Sequence, residues 1–216
     1  MEFYSVFGGT PAYIMAAVPD KDIMTNIGEK ILREDSFLFR DVDFVIRSEL
    51  TEPRYYLSIL FSIAQGNHRI GLICNDTGIS RSVVNKYLSI LTDLHLVCRR
   101  IPVTEGQKSR KGLYFLSDNL FDFWFSFVSP YPESPGRGNT RLIVDQFVRP
   151  RFASYVGRHF EVIVMDLFEL FIYQHGALPF VYTRTGSWWH RGEEIDIVCL
   201  RRKSIRNSFL RMQVAG

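Results

Sequence analysis

The 216-residue chain is poor in cysteine, in net charge and in long apolar runs. Each shortage removes a class of function. Cys74, Cys98 and Cys199 are its three cysteines. They are odd in number, far apart and without a CxxC pair, which argues against a zinc site or a disulfide frame and for a reducing cytoplasm. Lys and Arg number 26 against 23 Asp and Glu, a formal charge of +3. That is too little for a general polyanion binder, so any nucleic-acid surface must be local. No apolar run reaches the roughly 18 residues a spanning helix needs, and no leader-like stretch opens the sequence. The expectation is a soluble cytoplasmic protein with no membrane partner. A GxxxxGK[ST] phosphate loop is missing as well: Gly8-Gly9 precedes Thr10-Pro11 with no Lys-Ser/Thr after it, so it reads as a turn. What is present is apolar material, 46% hydrophobic and 14% aromatic, which places the chain among folded proteins.

The most informative stretch is Arg69 to Leu116. Arg69 to Asp76 reads as a short helix broken at Thr77-Gly78, and Ser80 is placed to cap the next helix. That helix carries Val83, Val84, Tyr87, Leu88, Leu91 and Leu94 at spacings of three and four, an apolar stripe that must face a core. Arg81, Ser82, Asn85, Lys86 and Ser89 fall on the other face, where such side chains reach base edges and phosphates. Leu96 to Val103 and Leu113 to Leu116 read as strands around a turn containing Lys108, Arg110 and Lys111 against Glu105 alone. Three helices and a basic hairpin tip make a winged helix-turn-helix. Its expected ligand is duplex DNA, held through Arg81, Ser82, Asn85, Lys86, Lys108, Arg110 and Lys111.

On either side the pattern is mostly helical. Pro11 opens a helix after the glycine turn, Asp20 or Asp22 opens another through Leu32, and Asp35-Ser36 a third, which Glu52-Pro53 ends. Tyr55 to Ala64 is nearly all apolar and reads as the buried first helix of the winged-helix domain, closed by Gly66-Asn67. Asp118-Asn119 caps Leu120 to Val128, whose aromatics point in every direction and so mark burial rather than base stacking. Ser129 to Gly138 is the best linker. A long helix follows from Arg151 to about Tyr173, then a strand at Pro179 to Arg184, a segment at Gly186 to His190 entering another, and the Glu193 to Leu200 run. Asp196 interrupts β-branched residues there, which is costly unless something binds it. His159 and His190 lie near the acids, but lone histidines are more often structural, and His68, His95 and His175 offer no ligand spacing.

Phe7-Gly8-Gly9-Thr10-Pro11-Ala12-Tyr13, Glu49-Leu50 with Pro53 and Tyr56, Ile63-Ala64 with Gly66, Asp118-Asn119 with Phe121 and Phe123-Trp124, and the Trp189 to Val198 run carry a resemblance. Together they are similar to the C-terminal half of the archaeal P-loop ATPase family. Its members look like an AAA+-type nucleotide-binding domain, a helical lid, a winged helix and a domain of unknown function related to PD-(D/E)XK nucleases. The resemblance implies a helical lid remnant at 1–52, a winged helix at 53–128, a linker at 129–140 and an incomplete α/β (α+β) nuclease-like domain at 141–216. It places Met1 where the family is leaving its ATPase core, so this chain alone should neither bind nor hydrolyse ATP, and no cofactor is expected.

In the nucleases similar to this family, an acid on the first helix, one on the second strand and an acid-x-Lys on the third hold magnesium that activates water. Glu161 matches the helix acid and Asp196 the strand acid. From Arg201 to Gly216 there is no Asp or Glu, so the third element is missing and the tail reads as a solvated, mobile basic end. Three functions therefore stay open: a DNA-binding module, a magnesium-dependent nuclease using Glu161 and Asp196, and an interaction fragment docking on a P-loop ATPase domain or on its own copies.

Overall fold

The computed structural model describes residues 1–49, 53–130, 140–175, 182–201 and 209–212. The chain is mainly helical with two small antiparallel sheets, an α+β architecture. It forms two compact units, Met1–Arg99 with Leu113–Val156, and Arg100–Gly112 with Gly157–Gly216. These cuts differ from the boundaries expected from the sequence in three places, the first being that 141–156, expected to open the nuclease-like domain, is grouped with the N-terminal unit. The helices before Pro53 share a core with those after it, and the tip of the β-hairpin is grouped with the C-terminal sheet.

In the first unit, α1 (Glu2–Phe7) stops at Gly8, whose φ of 66° is a conformation that favours glycine. α2 (Pro11–Ala16) begins with Pro11, whose missing N–H costs nothing at a helix start. α3 (Ile23–Asn26) is capped by Asp22, whose carboxylate accepts from the Thr25 N–H at 3.1 Å, and continues in π form over Ile27–Ile31. α4 (Phe37–Glu49) follows Ser36, whose hydroxyl accepts from the Phe39 N–H at 3.2 Å. The proposed stop at Glu52 lies outside the described residues. α5 (Pro53–Ala64), α6 (Ile70–Thr77) and α7 (Arg81–Asp93) then lead into the hairpin of β1 (Val97–Arg100) and β2 (Leu113–Leu116). Gly78, at φ 70°, ends α6 in the left-handed conformation and turns the chain into α7.

The expected stripe on α7 is buried at Val84, Tyr87, Leu88 and Leu91, but Leu94 lies beyond the helix end and is 38% exposed. α8 (Asn119–Phe123) continues in π form over Trp124–Val128. Phe121, Phe123, Phe125 and Phe127 are all buried. Alternate residues of a helix point to opposite sides, so this segment is enclosed all round, as its pattern indicated. The middle of the expected linker, 131–139, is outside the described residues. α9 (Thr140–Ile143) runs through a π turn, Val144–Val148, into α10 (Arg149–His175).

One buried cluster gathers residues from α1 to the start of α10, among them Val6, Phe7, Ile27, Leu60, Val84, Phe123 and Tyr155. Tyr155 ties its ends together: its hydroxyl lies 3.0 Å from the Ser5 carbonyl and 3.1 Å from that of Asn119. Asn119 in turn donates to the Tyr4 carbonyl at 2.8 Å. The glycine turn thus sits in a hydrogen-bonded clasp between the first helix and α8.

The second unit holds most of α10 and a sheet of order β3-β4-β5, with β3 (Arg184–His190), β4 (Glu193–Leu200) and β5 (Phe209–Met212) all antiparallel neighbours. Two expectations are corrected here. Arg184 begins a strand instead of ending one, and Gly186 to His190 belong to that same strand; residues 179–181 lie outside the described residues. The basic tail is also not simply a free end, because Phe209–Met212 pairs with Ile197 to Leu200. Its alternating backbone groups find partners on β4, which a reading based on charge overlooked.

Candidate nucleic-acid interface

α7 presents two chemically different faces. Val84, Tyr87, Leu88 and Leu91 anchor one of them in the core, while Arg81, Ser82, Asn85 and Lys86 are exposed on the other. The 3.6-residue helical repeat brings these four polar side chains onto the first two turns. Ser80 occupies the capping position, yet its hydroxyl makes no bond to the helix N–H groups and instead lies 3.2 Å from that of Ser82. The Lys86 ammonium itself lies over the Tyr87 ring, 5.5 Å from its centroid, a cation–π contact on an otherwise exposed residue.

The hairpin departs from its expected form. β1 ends at Arg100, not Val103, because the Val103 N–H donates to the Ser187 carbonyl of β3 at 2.9 Å. The turn that follows carries Lys108, Arg110 and Lys111, all exposed. Lys111 is engaged, its ammonium 2.6 Å from the Glu105 carboxylate. The hydrogen bond from Lys111, then that from Ser109, hold the Glu105 carboxyl below its ordinary range. Lys108 and Arg110 remain as the turn's exposed cations. They belong to the C-terminal unit, a placement that local sequence pattern did not signal.

Glu161 on α10 and Asp196 on β4 stand in the same unit. Partial burial raises the Glu161 carboxyl above its ordinary value, and the charges of Asp196 and Glu194 push it further, opposed by Arg100. The two acids matched by sequence are therefore electrostatic neighbours. Arg100 was not singled out beforehand, although a basic pair at the end of a strand is a visible signal. The β3–β4 register pairs Gly186 with Val198 and Trp188 with Ile195, so two β4 residues, Asp196 and Ile197, oppose Ser187. This is a β-bulge, and it explains how Asp196 falls inside an apolar run while Ile197, Val198 and Cys199 are all buried.

Among the described residues the donor set falls short of the oxygen ligands magnesium takes. Among the described residues no group of three His, Cys, Asp or Glu could hold a metal ion. The third strand, β5, reads Phe-Leu-Arg-Met and supplies no carboxylate. Two acids alone do not make up the oxygen shell a hard cation takes. No helix among the described residues is long and apolar enough to cross a membrane.

Comparison with known proteins places parts of the chain. Residues 124–211 match a family described as archaeal and bacterial proteins of unknown function, DUF234. An uncharacterized protein of Methanocaldococcus jannaschii is 34% identical over 214 residues, which cover 99% of this chain and 47% of the relative. The chain thus spans about half the length of the curated relative it matches. No solved structure matches it. From the aromatic helix to β5 the chain is similar to this archaeal and bacterial family, and over nearly all its length to just under half of a longer archaeal protein.

Proposed function

We propose that the chain is a DNA-binding winged-helix region of an archaeal-type ATPase, with α7 as the helix that enters the major groove. The observation that carries this reading is the division of α7 into a buried apolar face and an exposed face of Arg81, Ser82, Asn85 and Lys86. Arg and Asn there have the donors and acceptors that base edges demand, and Lys86 supplies charge for phosphate. The helix–helix–helix–hairpin order from α5 to β2 supports it. Lys108 and Arg110 add phosphate contacts from the turn.

The test is binding of a labelled duplex across a salt series. Affinity should fall as salt rises, Lys86→Ala should reduce the slope by about one phosphate contact, and Arg81→Ala should weaken binding and relax its sequence preference. Binding that ignores salt sinks the proposal.

A second reading, a metal-dependent nuclease, is favoured by one observation, the coupling of Glu161 to Asp196. Its check is cleavage of duplex DNA with added magnesium. Activity lost in Asp196→Asn supports it, and no cleavage by the unaltered chain removes it. No observation favours the third possibility, docking on an ATPase domain or on a second copy, over these two.

A further inference from the structure

We propose that Gly186 and Arg184, on the edge of the C-terminal sheet, are positioning residues that hold the turn after β1 so that Lys108 and Arg110 face a nucleic-acid backbone. This rests on the DNA-binding reading above and adds the part of the molecule that sets the two cations in place. Glycine at 186 fits a close approach. A Cβ built there would lie 3.3 Å from the Val103 Cβ and 3.5 Å from its Cγ2. Val103 is 3% exposed, seated directly on that bare stretch of backbone. The next residue of β3 makes the second attachment, because the Ser187 carbonyl accepts the Val103 N–H at 2.9 Å. Ser187 lies opposite the bulge at Asp196 and Ile197, where ladder pairing is disrupted and a carbonyl can serve another partner. Three residues before Ser187, the Arg184 guanidinium donates to the Glu105 carbonyl at 3.0 Å. Three features of one edge strand, at Arg184, Gly186 and Ser187, thus grip the same turn.

The turn is closed on itself as well. The Glu105 N–H donates to the Pro102 carbonyl at 2.8 Å, the Ser109 N–H to the Gly106 carbonyl at 2.9 Å, and the Lys111 N–H to the Ser109 hydroxyl at 3.2 Å. Lys111 offsets the charge of Glu105, the sole acid of the turn. What is left is a pair of exposed cations, Lys108 and Arg110, on backbone that is already ordered. Cations held this way lose less conformational freedom on meeting phosphates than cations on a loose loop. An edge strand covered by a loop is moreover protected from pairing with other chains, so the same contact serves the sheet.

The experiment combines amide exchange at Val103 with the salt dependence of duplex binding, using the full chain. The unaltered protein should protect the Val103 amide. Gly186→Val should accelerate its exchange by about tenfold or more, since a valine there displaces Val103. It changes no charge, yet its salt slope should fall by about two phosphate contacts, matching the Lys108→Ala/Arg110→Ala double variant. Should Gly186→Val fail to fold, Arg184→Ala serves in its place with the slope reduced in the same sense, and Arg184→Lys, which keeps the charge and a donor, should restore it. A slope in Gly186→Val equal to that of the unaltered chain overturns the positioning role alone. A Val103 amide that exchanges freely in the unaltered chain does the same. Absence of salt-dependent binding by the unaltered chain overturns the DNA reading itself.

Discussion

The two compact units are built on different principles. In the first, one continuous cluster of aliphatic and aromatic side chains runs from Val6 to Tyr155. In the second, the buried apolar residues among those described are few, Val103, Ile172, Ile197, Val198 and Cys199, and order comes chiefly from strand pairing and from the turn that lies on β3. Removing a side chain should therefore be felt most in the first unit, while the second should be sensitive to backbone contacts.

The largest effect is expected in the dense core. Phe123 is fully buried, with ring centroids 4.9 Å from Phe127 and 5.6 Å from Tyr155. Phe123→Ala should cost about 3–5 kcal/mol, read from denaturant unfolding. Ile197→Val, at the edge of the bulge, should cost about 0.5–1.5 kcal/mol. Equal losses at the two positions would erase the contrast between the units.

Tyr155→Phe comes next. It leaves the Ser5 and Asn119 carbonyls without the hydroxyl they share, at a cost of about 1–3 kcal/mol. A change under that range would mean the clasp at the first helix contributes little.

The pH dependence of Asp118 sharpens the same comparison at smaller scale. Burial raises its carboxyl above 3.8, against hydrogen bonds from the Phe121 and Leu120 N–H groups and from Thr10 that lower it, while Asp41 adds to the rise. The folded state therefore binds this proton more tightly than the unfolded chain. Its contribution to stability is complete below 3.8 and disappears as pH rises through the folded value. Asp118→Asn should cap α8 about as well at neutral pH and lose that gain on acidification, measured by unfolding at a series of acidic pH values. An unchanged acid profile would show that burial at this cap has no consequence.

The smallest effect concerns the other capping position. Ser80 makes no bond to the N–H groups of α7, so Ser80→Ala should change stability by less than about 0.5 kcal/mol. A loss of 1 kcal/mol or more, roughly what a working serine cap contributes, would show that its hydroxyl does reach the helix.

Much of this architecture was legible in the residues. The glycine turn before Pro11, the stop at Gly78, the two-faced α7 and the enclosed aromatic helix follow from local rules. Pro and Gly restrict backbone angles, and apolar spacing tells which sides of a helix must be covered. The bare face of α7 with Arg81, Ser82, Asn85 and Lys86 could be read in the same way. The position of the turn could not. Lys108, Arg110 and Lys111 looked like equivalent cations on a free tip, but Lys111 is spent on Glu105, and Val103 leaves β1 to bond with a residue 84 positions later, Ser187.

Asp196 shows the same division. That a carboxylate stood in an apolar strand was plain from Glu193 to Leu200, but that a bulge places it there, near enough for its charge to raise the Glu161 carboxyl, depends on register. Periodicity and chain stiffness act between near neighbours, so sequence alone determined the helices from α5 to α8, the two faces of α7 and the presence of a hairpin after it. Register, edge pairing and charge neighbours join residues far apart in the chain, and only the tertiary structure decided which of them meet.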